Sequence, residues 1–241
     1  MRLNDQAAYL LHRRAHGERS LLVDLLTLEH GRLAAVARQV RGGSGERLAT
    51  LAPFNALRVD LSGRGEVLTL TRWEAADKPT ILRGPSTLAG LYVNELLVRL
   101  LARSDAHPGL FHAYDRLLGS LAEQNRSDWQ LRLFEKTLLE ELGYGLDFSS
   151  TADGLAIQPE AFYRVDLEQG VRASHADQGT SGAALLALGN PTNLAPSPAL
   201  CNEQRILMRA LLSTLLGGRP LSAWTWADSL RETARRRVQR D

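Results

Sequence analysis

Cysteine is almost missing from this chain: Cys201 is the only one in 241 residues. A lone thiol excludes an intramolecular disulfide and a cysteine-rich zinc site, so the fold must rest on its own core. Lysine is scarce too. The 29 basic residues include only Lys78 and Lys136, the rest being arginine. Arginine's planar fork suits phosphate and carboxylate, although a GC-rich genome produces the same bias. No window approaches ~18 uninterrupted apolar residues, so no membrane span is expected. No apolar signal core follows Met1–Gln6, and a cytoplasmic location is expected.

Catalytic signatures are missing as well. The histidines at 12, 16, 30, 107, 112 and 175 show no H-E-x-x-H or other ligand spacing. There is no G-x-S-x-G elbow for a serine nucleophile. Glu140 and Glu141 are adjacent on a helical segment but diverge by about a third of a turn, which suits acid–base partnership poorly. The expectation is a protein that is not an enzyme, with no catalytic residues, no metal ligands and no cofactor.

What is present is an ordinary globular composition, 44% hydrophobic and 23% charged, with a net charge of +2. That small charge conceals a pattern. Residues 1–80 carry 12 basic and 9 acidic side chains, residues 81–200 carry 9 and 14, and residues 201–241 carry 8 and 4. A basic head beside an acidic middle suggests an anion-binding N-terminal unit joined to a second unit of different charge.

Residues 7–76 read as strands. Runs at 7–15, 20–28, 32–40, 54–61 and 66–73 are separated by His16-Gly17-Glu18-Arg19, His30-Gly31, a glycine-rich stretch at 41–46 and Ser62-Gly63-Arg64-Gly65. Five short strands in about 80 residues imply a small barrel of OB-fold size. From residue 86 the period becomes helical. Ser86 or Thr87 can cap a helix running to Leu100, and further helices cover 109–121 and 127–142, the last closed by Gly143. Residues 147–180 lose that period around a hairpin at 162–171. Helices resume at 182–188, 203–216 and 226–237, with Pro191, Pro196 and Pro198 marking a linker. The fold class is α+β: a barrel over 1–80, then a mostly helical domain over 81–241 with a small irregular hairpin insertion.

Two basic clusters lie in the barrel. One is His12-Arg13-Arg14 with His16 and Arg19, where strand alternation sends Arg13 opposite to Arg14. The other is the glycine-rich connector, which is no phosphate loop because it lacks Gly-Lys-Ser/Thr and leads to a strand. It presents Arg38, Arg41 and Arg47 either to a phosphate backbone or to solvent. Arg14, Arg38, Arg41 and Arg47 are the DNA-binding candidates. Tyr9, Phe54 and Trp73 could stack bases, though core packing suits each better.

Several segments together resemble one family. Leu10-Leu11-His12-Arg13-Arg14 with Gly17-Glu18-Arg19-Ser20, then Glu29-His30-Gly31-Arg32-Leu33, resembles the opening of the RecO family of bacterial recombination mediators. Leu61-Ser62-Gly63-Arg64-Gly65-Glu66, Asn94-Glu95-Leu96-Leu97, Leu131-Arg132-x-Phe134-Glu135, Leu142-Gly143-Tyr144-Gly145 and Leu216-Gly217-Gly218-x-Pro220 extend the likeness through most of the chain. The resemblance implies an N-terminal OB-fold and a helical domain that in many members carries a four-cysteine zinc module. Here residues 147–180 occupy that place without cysteine, as in the zinc-less branch.

The resemblance also implies a role in DNA repair and recombination. Such proteins bind single- and double-stranded DNA, anneal strands coated with single-strand-binding protein, and work with RecR to load RecA; no membrane is involved and the location is cytoplasmic, at the nucleoid. An OB-fold adaptor with weak DNA affinity is the alternative. Single-strand-binding proteins end in an acidic tail with an apolar last residue, and a receptor for it needs a forked cation beside an apolar wall. Arg132, at the edge of a buried helix face, with Phe134 and Leu138 as the wall, is the expected partner site.

Overall fold

In the computed structural model, which describes residues 1–40, 45–124, 127–175, 178–190 and 196–226, the alternating N-terminal segments form β1 (Arg2–His16), β2 (Ser20–Thr27), β3 (Gly31–Ala37), β4 (Ala56–Ser62) and β5 (Val67–Ala75). Four antiparallel pairings and one parallel pairing, β3 with β5, close them into a barrel in the order β1-β2-β3-β5-β4. A short helix, α1 (Gly45–Thr50), joins β3 to β4. This is the OB-fold topology. Leu10, Val23, Leu25, Leu51, Val59 and Leu61 are fully buried in its core.

Three details differ from the strand expectations. β1 starts at Arg2 rather than Ala7, because Leu3 finds a partner in Leu61. Phe54 lies ahead of β4 with a φ of 74°, a turn conformation and not a strand one. The helix α1 is too short to leave a periodic signature.

Two of the three register shifts in the barrel decide which way its end faces. In β1, Leu10 pairs with Leu25 and His12 with Asp24, leaving Leu11 as an extra residue. Facing residues share a side, so Ala8 and Leu10 point inward, and beyond the bulge it is Arg13 that shares the inward side with buried Val23. Without the extra residue, His12 and Arg14 would enter the core. β5 repeats the device. Asp60 pairs with Arg72 and Leu61 with Leu70, so Thr71 is extra and Trp73, facing Val59, turns inward.

The two reoriented side chains meet the same helix. The last turn of any helix leaves carbonyls without intrahelical partners. Here the Arg13 guanidinium donates to the carbonyls of Leu48 (2.9 Å) and Leu51. Asn55 Nδ2 donates to Thr50 (3.1 Å) and Ala49 (3.5 Å), and Trp73 Nε1 to Arg47 (3.3 Å). Three side chains from separate places in the barrel thus fasten α1.

Two long helices, α2 (Pro85–Leu100) and α3 (Pro108–Glu123), pack with the barrel. Proline occupies the first turn of α2, where its missing N–H costs nothing. Gly84 stands at the cap position, so neither Ser86 nor Thr87 caps the helix as expected. The Leu11 carbonyl, freed by the bulge, accepts from Asn94 Nδ2 at 2.8 Å, and Asn94 Oδ1 in turn accepts from the Tyr114 hydroxyl at 2.6 Å. Tyr9 stacks against Phe111 and Tyr114 and donates to Asp115. The chain from Pro220 onward returns to this unit: the Glu95 carboxylate accepts from the N–H groups of Ser222 and Ala223. The expected helix at 226–237 lies outside the described residues beyond Trp226.

Residues Gln124–Arg219 form the other compact unit. Packing therefore groups α2 and α3 with the barrel, whereas the sequence pattern groups them with the later helices. The second unit contains α4 (Ser127–Glu141), a three-stranded sheet of order β7-β6-β8 from β6 (Phe162–Asp166), β7 (Gly170–Ser174) and β8 (Thr180–Ser181), then α5 (Gly182–Gly189) and α6 (Pro198–Leu215). Gly143 ends α4 at a φ of 87°, with the Tyr144 N–H reaching back to the Leu139 carbonyl. α6 begins at Pro198, not Glu203, because Ser197 caps it and proline opens it; the expected linker supplied a helix start.

The Asn55 cap is the part of this scheme most open to test. Asn55 is buried, and Asn55→Ala leaves the carbonyls of Ala49 and Thr50 without their donor. We expect a loss of about 1–3 kcal/mol in unfolding free energy by urea titration. A change under about 0.5 kcal/mol would refute the cap's role.

Candidate nucleic-acid interface

Five arginines on the first unit are paired with acids. Arg32 binds Asp24 (3.0 Å) and the Leu101 carbonyl. Arg72 holds Asp60 (2.9 Å), Arg58 approaches Asp5 (3.6 Å), Arg99 approaches Glu95 (3.5 Å) and Arg103 approaches Glu66 (3.6 Å). The Asp60 carboxyl is held below its ordinary range by the Asp5 N–H and then by Arg72. These cations are matched by acids.

Arg14 and Arg38 are not. Both are exposed, and among the described residues neither makes a side-chain hydrogen bond or an ion pair. Arg14 lies beside Leu22 and Val36 in a row across β1, β2 and β3, and Arg38 follows two residues after Val36. Leu22 and Val36 are half-buried, so the arginines rim a partly apolar strip. Arg19 joins them: its carbonyl accepts the Val40 N–H at 2.9 Å, which ties the β1–β2 turn to the segment containing Arg38. The sequence placed Arg19 in the basic cluster but not among the DNA contacts, since the proximity of turn and connector is a tertiary fact.

Arg47 is positioned differently. Its guanidinium lies 4.4 Å from the Trp73 ring centre while its carbonyl accepts from the same indole. A cation stacked on an aromatic face loses less freedom when it binds a second partner. Arg41 lies outside the described residues. Arg13, expected to face away from Arg14, does so and caps α1. Of the three aromatic candidates, Tyr9 and Phe54 are buried, Tyr9 against α3 and Phe54 against Gly90; Trp73 alone stays partly exposed.

In the second unit the structure departs from expectation at Arg132. It is 5% exposed and binds Glu135 at 2.9 Å, one turn along α4 and itself 1% exposed. Phe134 and Leu138 are buried at 2% and 0%. The sequence pattern puts Arg132 at the edge of the buried face; the Glu135 carboxylate draws it inside, because two opposite charges can leave water together where one cannot. The segment that opens 147–180 is organised by hydrogen bonds. Asp147 accepts from Ser149 and Ser150, which hold its carboxyl down to about 2, and Phe148 and Ile157 are buried. Among the described residues no group of three or more His, Cys, Asp or Glu side chains could hold a metal ion, and no helix is long and apolar enough to cross a membrane.

Removing one partner of the α4 pair strands a buried charge. Arg132→Ala should lower stability by about 3–5 kcal/mol, with Arg132→Ala/Glu135→Leu recovering most of it. Denaturant midpoints of the two variants check this, and equal loss in both would contradict the pairing.

Comparison with known proteins agrees with this architecture. Residues 1–79 match the family described as recombination protein O N terminal, and residues 84–223 match recombination protein O C terminal. A protein of Xanthomonas oryzae pv. oryzae named DNA repair protein RecO is 38% identical over 245 residues, spanning 98% of this chain and 100% of that protein. Proteins of the same name from Stenotrophomonas maltophilia and Ralstonia nicotianae are 37% and 38% identical, covering 95% and 92% of this chain and 98% and 82% of their own lengths. With an OB-fold barrel matched over its N-terminal part and helices over its C-terminal part, the chain belongs to the RecO family of DNA-repair proteins.

Proposed function

We propose that this chain, as a member of a DNA repair and recombination family, binds single- and double-stranded DNA through residues 1–80 and anneals strands coated with single-strand-binding protein. In this proposal it acts in the cytoplasm with RecR to help load RecA. The observation that carries the DNA contact is the clustering of Arg14, Arg19 and Arg38, none of them matched by an acid, at one end of the barrel, whereas Arg32, Arg58 and Arg72 are matched. Unneutralised, exposed guanidinium groups lose little by exchanging water and counterions for phosphate. Arg47, resting on Trp73, extends the surface toward α1.

Annealing needs strands gripped by phosphate with their base edges left open for pairing. Arginine forks on a barrel surface, with Tyr9 and Phe54 buried and so withheld from the bases, meet that need. Phosphate contacts carry no sequence preference, as befits a mediator that must act on any broken site.

Replacing Arg14, Arg38, Arg41 and Arg47 together with alanine should weaken binding to labelled single-stranded DNA without regard to sequence. The dependence of log affinity on log salt should flatten by about 2.8, taking roughly 0.7 per contact. An unchanged slope in a folded quadruple variant would favour the adaptor role instead.

The same proposal keeps Arg132, Phe134 and Leu138 as the receptor for the tail of single-strand-binding protein. A tail carboxylate at this site would compete with Glu135 for the Arg132 fork, and the buried face of α4 would have to open to admit it. Neutralising that competitor with Glu135→Gln should therefore tighten binding of an acidic tail peptide, by about 10-fold or more for a charge-assisted contact. Affinity within twofold of the unaltered protein would place the tail elsewhere.

A further inference from the structure

On the hairpin of the second unit, Arg164 of β6 lies directly opposite Arg172 of β7, and both are exposed. Like charges facing each other across two strands repel, so this pairing works against the hairpin. The register that creates it is dictated from the other side of the sheet. Tyr163 and Val171 are buried, and a slip of one residue would expose them and bury both arginines. That register demands outward residues at 164 and 172, but it does not demand arginine.

Among the described residues no carboxylate forms an ion pair with either arginine, and neither makes a side-chain hydrogen bond. Asp166 is close enough to feel both charges, yet its Oδ1 is already committed to the turn, accepting from the N–H groups of Glu168 (2.9 Å) and Gln169 (3.0 Å). On the same face as the arginines, the next cross-strand pair is Phe162 with Ser174, both half-buried. Two adjacent cationic forks followed by an aromatic is the composition of a surface that tracks a single-stranded backbone.

We propose that Arg164 and Arg172 form a second phosphate-binding site, taking the backbone of a nucleic-acid strand. The site rests on the reading that this chain binds DNA, and it adds a contact in the second unit to the one on the barrel. A phosphate site in each unit lets one chain hold two strands. A peptide carboxylate is the lesser candidate. It would need an apolar wall beside both forks, and in the groove of about 950 Å³ between the hairpin and α6 Arg164 stands near Ile206 and Leu207 while Arg172 lies outside.

The test is a salt series with fluorescein-labelled oligothymidylate on the full chain, comparing Arg164→Ala/Arg172→Ala with the barrel quadruple variant. The hairpin variant should flatten the slope by about 1.4, so a rise from about 50 to about 200 mM salt costs the unaltered protein about sevenfold more affinity than the variant. Arg164→Lys/Arg172→Lys should restore the slope, since charge persists. Melting temperature should not fall in the alanine variant, because repulsion is removed. An unchanged slope in the folded alanine variant overturns the site, and DNA binding by the barrel still stands if the quadruple variant flattens. Unchanged slopes in both overturn the DNA reading as well. Weakened binding of an acidic peptide, with DNA binding intact, overturns the site in favour of a peptide receptor.

Discussion

One backbone carbonyl, that of Leu11, sits at the centre of the first unit. The bulge in β1 releases it from the ladder, and Asn94 of α2 takes it, itself held by the Tyr114 hydroxyl of α3. An extra residue in a strand reverses the facing of everything after it. Because of it Arg13 points into the barrel end and Arg14 points out. The helical layer thus holds the barrel in the register on which the basic surface depends. The second bulge, at Thr71, brings Trp73 to the same end, and the two side chains with Asn55 satisfy the carbonyls that α1 leaves open.

Arginine does three different jobs here, and surroundings decide which. Arg13 caps a helix, Arg132 neutralises a buried glutamate, and Arg14, Arg38, Arg164 and Arg172 stand in solvent without an acid. The forked, permanently charged group supports all three because it can donate several hydrogen bonds at once and is more weakly hydrated than an ammonium. Only the unmatched ones are available to a polyanion.

Hydrophobic alternation carried most of the architecture. The five strands, the glycine-marked turns, the helices α2 to α4 and the hairpin around Gly170 all stand close to where the periodicity puts them, because burial of one face is written into local spacing. The helix α1 and the start of α6 were not legible. The first is only six residues held by distant donors, and the second turns on whether a proline ends a linker or opens a helix. For the site, exposure of Arg14 and Arg38 followed from their setting, but Arg132 did not follow. Its burial depends on Glu135 sharing one pocket with it, which spacing alone cannot distinguish from a pair on a wet surface.

The sequence by itself determined the class of fold, the basic character of the N-terminal unit and the family, because alternation, composition and ordered motifs are properties of the chain. Tertiary structure alone decided which arginines remain unmatched. A bulge inserts one residue, a cross-strand partner lies dozens of positions away, and both change which way a side chain points without altering the pattern that names the strand. Arg13 and Arg14 are neighbours of the same type. One closes the barrel and the other faces solvent, and what separates them is the carbonyl of Leu11 and the amide of Asn94.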